Sequence, residues 1–375
     1  MIKVCHFSSV HILHDPRVLY RECMSLASHG YDVSLVIQAD KAEVMNGVKI
    51  VPLRKTKSRL RRMFLLSWSA FFKAMAVKAD IYHFHDPELI PHGLLMRLLG
   101  KKVVFDVHEN VHQQIRDKDW LPMRNLVAVC YRLFDRLASK AFYLVLAEHS
   151  YEAYYAQYKA DAITVYNYPD ISFFKSYINT RRYDLPDNEI FYSGGVFYNR
   201  GFDVIMKALA ILKKRGFTFF FHCAGKYTNE YMQDLQAQPA YQEVKDRVKF
   251  YGYLPLTEGY AIAKRCKIGL AILRPVENYK RSYSTKNFEY MAIGLPTVTS
   301  NFELYTRIYD KYSCGLCVDP VNETELADAM ERILTDKELA KVFSETGVKV
   351  SEATFNWDTE FLKITDLYTR ILKKS

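Results

Sequence analysis

Ser282–Ser300, SYSTKNFEYMAIGLPTVTS, is the stretch whose reading decides the fold. It opens as a polar loop, becomes a short helix around Asn287–Ala292, stops at Gly294 and Pro296, and ends as an apolar strand, Thr297–Ser300. Ser284 and Thr285 carry side chains that cap helix starts, and Gly with a nearby Pro is how helices stop. A helix start gathers unpaired N–H groups at the positive end of its dipole, so this one suits an anion such as a phosphate. Glu289, one turn further in, can reach past such an anion toward neighbouring hydroxyls. A plain capped helix with a surface glutamate has the same local pattern. Its surroundings must decide.

Before that stretch runs an alternating series: strand Glu189–Ser193, a helix near Phe202–Lys214, strand Thr218–Ala224, a helix near Glu230–Gln236, strand Val248–Tyr251, a helix around Thr257–Lys264 and strand Ile268–Leu273. The helix Glu323–Leu334 follows it. The N-terminal half alternates too, with strands at Ile2–Phe7, Asp32–Gln38, Ile50–Leu53, Ile81–His85, Lys102–Val107, Tyr143–Ala147 and Ala162–Tyr166. Helices are expected at Tyr20–His29, Met63–Lys78, Leu89–Leu99 and Leu126–Ala141, and His11–Val18 (HILHDPRV) reads as a polar loop. Strands spaced by helices imply α/β architecture with parallel, doubly wound sheets, whose strand-to-helix loops hold ligands at one edge. The 375 residues exceed one comfortable core, and the rhythm breaks over a polar, Pro-containing segment. The expected division is therefore an N-terminal Rossmann-like domain over 1–170, a linker over 171–187, a second Rossmann-like domain over 188–350 and a C-terminal helix within 351–375. That last helix is amphipathic, with Phe361, Ile364, Leu367, Tyr368 and Ile371 on one face.

Composition excludes several classes. At 49% apolar and 25% charged residues the chain is an ordinary globular protein, without an apolar run long enough to span a bilayer. The start, MIKVCHFSSV, reads as a first strand rather than a leader. Seven scattered cysteines, with one CxxC at Cys314 and Cys317, fit a reducing cytoplasm and no zinc site. The net charge of +10 is uneven: Arg54, Lys55, Lys57, Arg59, Arg61 and Arg62 crowd in front of MFLLSWSAFFKAM. Basic residues followed by an aromatic helix suit an anionic membrane surface, with Arg59, Arg61, Arg62, Phe64 and Trp68 as the contact patch. A solvated basic loop before a core helix reads the same way, and no nucleic-acid recognition motif accompanies the patch.

A second motif, Tyr192–Gly201 (YSGGVFYNRG), lies between a strand and a helix. Gly194 and Gly195 let the backbone approach a ligand, and Arg200 can meet a phosphate at the next helix start. It is not a GxGxxG dinucleotide fingerprint. Taken in order, HDPRVLYRECMSLASHGYDV, FHDPEL, VVFDVHEN, YSGGVFYNRG, STKNFEYMAIGLPTVTS and FNWDTEFLKITDLYTRIL resemble the retaining GT-B glycosyltransferases of family 4 over nearly the whole chain. The set is similar above all to bacterial enzymes that build capsular, exopolysaccharide or O-antigen chains.

The resemblance implies two Rossmann-like domains facing across a cleft and transfer of a sugar from a UDP- or GDP-type donor to a saccharide or lipid-linked saccharide. It implies no cofactor and no metal, and a cytoplasmic, peripheral-membrane location. Glu289 then matches the second glutamate of an E-x7-E element that grips the ribose, and Arg200 the basic residue that neutralises the diphosphate. Gly194 and Gly195 form the turn under the donor, Ser284, Thr285 and Lys286 the anion-holding helix start, and His108 a histidine that faces the transferred sugar. The C-terminal helix is implied to cross back to the N-domain.

Two positions depart: Arg281 stands where the first glutamate would, and Val196 follows the glycine pair where a basic residue is common. Glu277 or backbone near Ser284 are the substitutes considered for the first, Arg200 and Lys286 for the second. His83, His85 and His92 compete with His108, and Asp15 and Asp86 are weaker acceptor-side candidates, since HDP is also a turn signature. The D-x-D at Asp117 and Asp119 follows no strand and reads as a loop. A nucleotide-sugar epimerase on the same fold and a non-catalytic subunit of a polysaccharide assembly complex are the rival functions.

Overall fold

The computed structural model describes residues 1–56, 58, 61–108, 111, 115, 123–158 and 161–374. It divides into two units, Met1–Asn167 with Trp357–Ser375, and Tyr168–Asn356.

The first unit is built on an eight-stranded sheet: β1 (Lys3–Ile12), β2 (Asp32–Gln38), β3 (Glu43–Met45), β4 (Val48–Leu53), β5 (Ile81–Phe84), β6 (Lys102–Val107), β7 (Tyr143–Leu146) and β8 (Asp161–Thr164). Their order is β3-β4-β2-β1-β5-β6-β7-β8, parallel except for the β3–β4 pair. Apolar runs such as Val33–Ile37 and Val103–Phe105 are buried, as strands covered on both faces require. Helices α1 (Ser67–Val77), α2 (Ile90–Leu98) and α3 (Arg124–Ala141) pack into one hydrophobic cluster with this sheet. The C-terminal helix, Trp357–Lys373, packs into another with β1, β2 and β4 through Trp357, Phe361, Ile364, Leu367, Tyr368 and Ile371. Its Tyr368 hydroxyl bonds His83 Nδ1 at 2.7 Å and His6 Nε2 at 3.2 Å, so this helix belongs physically to the first unit.

Two readings change. The loop over His11–Val18 is shorter than expected, because Pro16–Cys23 already forms a helical segment with wide, π-type hydrogen bonding. Asp15 caps it by accepting from the backbone N–H groups of Arg17 and Val18, and Pro16 occupies the first position, where no N–H is needed. The segment 171–187 is no free linker: it lies within the second unit, held by Arg182. That guanidinium is buried and donates to the carbonyls of Ala263, Cys266, Ile293 and Gly294 at 2.5–2.8 Å. Burial without a carboxylate partner pulls its pKa down to about 9.

The second unit holds six parallel strands, β9 (Glu189–Ser193), β10 (Phe220–Ala224), β11 (Val248–Gly252), β12 (Ile268–Ala271), β13 (Thr297–Ser300) and β14 (Gly315–Val318), in the order β11-β10-β9-β12-β13-β14. Strand order reverses between β9 and β12, and ligands of such sheets sit outside the carboxyl ends at that reversal. Among its helices are α4 (Phe202–Lys214), α5 (Leu256–Ala263) and α6 (Thr285–Ala292).

Candidate active site

At the reversal of the second sheet lies a cavity of about 670 Å³. All seven residues expected at a donor site line it: Gly194, Gly195, Arg200, Ser284, Thr285, Lys286 and Glu289. Its floor is the turn after β9. Gly194 has φ +123°, and a Cβ at Gly225 would fall 1.6 Å from the Gly194 carbonyl oxygen, so the two turns touch backbone to backbone. Tyr290 of α6 fixes that floor by receiving the Ser193 N–H at 2.9 Å.

The charges around the cavity are held open. Ser284 is the N-cap of α6, yet its side chain makes no capping bond. The start of that helix therefore keeps N–H capacity for a ligand. Lys286 is buried, its Nζ has no hydrogen-bond partner, and it sits 4.1 Å from the centroid of the Tyr192 ring. Burial, and then the nearby Arg200 charge, hold its pKa well below that of an ordinary lysine. Arg200 lies over the Tyr279 ring at 5.0 Å, and its Nε is likewise buried without a partner. Opposite these cations, Glu289 accepts a hydrogen bond from the Tyr260 hydroxyl at 2.5 Å. Tyr260 stays a firm donor, since burial and then the Glu289 charge raise its pKa. Unpaired buried cations are costly, so an arrangement that concentrates them around empty space is complementary to an anion.

The corresponding edge of the first unit is built differently. Its strand order also reverses, between β1 and β5, and there the ends of β1, β5 and β6 bring His108, Asp15 and Asp86 into one cluster. His108 Nε2 lies 3.0 Å from Asp106 Oδ2 and 3.1 Å from His85 Nδ1. Arg17 grips both Asp106 oxygens, at 2.9 and 3.1 Å. Burial by itself would raise Asp106, but Arg17 and His108 hold its carboxyl well below the usual range. Asp86 accepts from Ser8 Oγ at 2.7 Å and from the N–H groups of Ser9 and Val10 at 2.6 and 3.1 Å. Asp15 is spent on its cap and on His11 Nδ1, 2.8 Å away. Asp15 and Asp86 thus anchor loops.

His11, absent from the sequence-based candidates, is the hub. It contacts Asp15, lies 3.6 Å from Asp86 and has its ring 4.9 Å from that of His108. Burial would lower its pKa, but the bond to Asp15 and the charge of Asp86 raise it above 6.5. No local signal singles it out, because its partners come from three separate segments.

Comparison with known proteins fits this geometry. Residues 16–167 match the model of Glycosyltransferase Family 4, and residues 175–350 that of Glycosyl transferases group 1. This chain belongs to the family 4-like glycosyltransferases of the GT-B fold. Alpha-D-kanosaminyltransferase of Streptomyces kanamyceticus is 25% identical over 191 residues, 51% of this chain and 48% of that one. The match therefore spans about half the length of that curated relative. Among solved structures, sucrose-phosphate synthase from Thermosynechococcus elongatus has a TM-score of 0.77 at 17% identity, covering both chains fully. Anabaena HepE in complex with UDP and glucose has a TM-score of 0.71 at 14% identity, over 99% of this chain and 100% of that one. At such identities these two show the fold.

Within this GT-B chain, Arg281 does not line the cavity. It is exposed and ion-paired to Glu277 one turn away, so Glu277 is no substitute for the missing first glutamate. Sequence reading also missed Lys226, Tyr253 and Tyr260 in the cavity wall. Lys226 was detectable: AGK after the apolar run FFFHC repeats the strand-then-glycine pattern of YSGG. Of the basic-aromatic patch, Arg61, Phe64 and Trp68 are exposed, whereas Arg62 is partly buried and paired with Glu88 at 3.1 Å. Arg59, Asp117 and Asp119 lie outside the described residues. Among the described residues, no helix is long and apolar enough to cross a membrane.

Proposed function

We propose that this protein is a retaining glycosyltransferase that moves a sugar from a nucleotide-diphosphate donor, of UDP or GDP type, to a saccharide or lipid-linked saccharide in cell-surface polysaccharide synthesis. The observation that carries this reading is the buried Lys286 amine, without a hydrogen-bond partner, in the wall of the donor-sized cavity.

The diphosphate sits on Arg200, Lys286 and the start of α6, with Lys226 at the rim. The ribose hydroxyls bond Glu289, and the base lies against Tyr253 and Leu254 in the cavity wall. Sugar transfer develops positive charge at the anomeric carbon and negative charge on the departing diphosphate. Cations already fixed where that negative charge grows lower the barrier without reorganisation. These cations do the charge neutralisation that a divalent metal provides elsewhere. The acceptor attacks from the face the diphosphate leaves, and the leaving phosphate oxygen takes the acceptor's proton. In the first unit, His108 is the proposed catalytic residue. The acceptor is presented at the cytoplasmic face of an anionic membrane, which the first unit meets through Arg61, Phe64 and Trp68.

A thermal-shift screen of UDP- and GDP-sugars tests this, because a ligand that binds the native state raises its stability. One donor class should stabilise the protein, and Arg200→Ala and Glu289→Ala should each remove the shift. Transfer with EDTA present and a product linkage that keeps the donor's anomeric configuration in NMR would complete the case. If no nucleotide diphosphate binds, the non-catalytic subunit is the better reading. Epimerised nucleotide sugar formed without acceptor would favour the epimerase.

A further inference from the structure

Helix α3 carries its apolar residues on the wrong side for a free monomer. Ala128, Asp135, Ala138 and Ser139 face the core, while Leu126, Cys130, Leu133 and Leu137 follow one another at i, i+4, i+7 and i+11 on the opposite face. Leu126, Leu133 and Leu137 are 52%, 55% and 66% exposed, and Val127 and Val129 beside them are exposed as well. Arg132, Arg136 and Lys140 are exposed along one flank of this stripe. The helix's single acidic residue, Asp135, is turned inward, where the Tyr155 hydroxyl donates to it.

A second stripe of the same design stands nearby. Phe64, Trp68 and Phe72 are exposed at four-residue spacing on α1 and the turn before it, and the Trp68 and Phe72 rings stack at 5.8 Å. Helices α1 and α3 cover the same hydrophobic cluster of the first sheet, and α2 touches both. Each stripe points away from its own core face, so both point out on the same side of the unit. Apolar surface of this extent, bordered by cations, marks an interaction site rather than a solvated face.

We infer that α3 is an in-plane membrane helix: its leucine stripe enters an anionic bilayer surface beside the Phe64–Trp68–Phe72 stripe, with Arg132, Arg136 and Lys140 on lipid phosphates. This deepens the proposed membrane association and rests on it, moving the main seat from the basic cluster to apolar insertion by two helices. The charge pattern selects the occupant. An anionic lipid surface satisfies leucines and cations together. The same helix of a second copy offers these cations no exposed acidic partner, since its one acidic residue, Asp135, is turned inward.

Cys130 supplies the test, because it is the exposed one of the seven cysteines and lies in the stripe. The full-length chain, labelled there with an environment-sensitive fluorophore, should brighten and shift blue with phosphatidylglycerol-containing vesicles and not with pure phosphatidylcholine. In flotation assays, Leu133→Ser with Leu137→Ser should weaken vesicle binding at least tenfold while leaving the melting temperature unchanged. If that variant binds as the parent does but Phe64→Ser with Trp68→Ser does not, the membrane reading stands and the α3 inference fails. If the parent binds no vesicles, the membrane reading itself fails. Brightening without lipid, with a dimer by light scattering, would also overturn the inference in favour of self-association.

Discussion

Both units place polar residues at the carboxyl ends of a parallel sheet where strand order reverses, yet they do so in opposite ways. In the second unit, Lys286 and Arg200 keep buried nitrogen atoms without partners around a cavity. In the first, Arg17 donates to Asp106 and to Asp15, His11 lies against Asp15, and Asp86 accepts from Ser8. Unpartnered nitrogen atoms, with Lys286 pushed by burial toward its neutral form, keep their hydrogen-bonding and proton-binding capacity for a ligand. The first unit spends most of that capacity on internal order, although the buried Glu22 carboxylate, ion-paired to Arg17 at 2.9 Å, and His83 Nε2 have no hydrogen-bond partner. The same topology therefore yields a cavity lined by unpartnered cationic side chains in one half and a largely paired polar cluster around His108 in the other.

Breaking Arg17 should have the largest effect. Arg17→Ala leaves Asp106 buried without its main partner and should cost about 3–5 kcal/mol of stability in urea unfolding. An equal cost for Lys286→Met would erase the contrast. Lys286→Met is instead expected to leave the ligand-free protein as stable or slightly more so, since it removes a buried amine that has no hydrogen bond. The same change should weaken UDP or GDP binding roughly ten- to a hundredfold by calorimetry, the worth of a charge-assisted hydrogen bond.

Glu289→Gln keeps the shape but loses the carboxylate proposed to hold the ribose. A loss of about tenfold in nucleotide affinity is expected, with little change for inorganic diphosphate. Equal losses for both ligands would place Glu289 on the diphosphate and sink its assignment.

pH sharpens the comparison further. A bound diphosphate restores the Lys286 charge that burial had suppressed, so binding takes up a proton between the lowered pKa and the ordinary 10.5. Nucleotide affinity should fall as pH rises through that window, and the binding enthalpy should vary with the buffer's own ionisation heat. In the first unit, the raised His11 pKa contributes stability that is fully present below 6.5 and lost as pH rises through the raised value. Of these effects it is the smallest. An NMR titration of His11 with its midpoint at or below 6.5 would contradict it.

The residues lining the second unit's cavity were legible because their signals are local. Glycines after strands, a capping serine and a cation one step into a helix each act within a few residues, so Gly194, Gly195, Arg200, Ser284 and Glu289 could be named from the sequence. The polar cluster of the first unit was legible only as separate candidates. Asp86 partners Ser8 across 78 positions and Arg17 partners Asp106 across 89, and nothing in either stretch announces the other. The segment 171–187 looked like a linker because it is polar and aperiodic. Arg182 can be buried there only because four carbonyls from elsewhere in the second unit converge on it.

Sequence alone determined the two alternating α/β series, the helix, turn and strand of Ser282–Ser300, and the apolar face of the last helix. Periodicity, capping and glycine conformations are short-range properties. Tertiary structure decided which charges meet partners: Lys286 does not, Arg17 does, and Arg281 turns outward to Glu277 away from the cavity. Burial and pairing are sums over residues distant in the chain, and only the folded arrangement evaluates them.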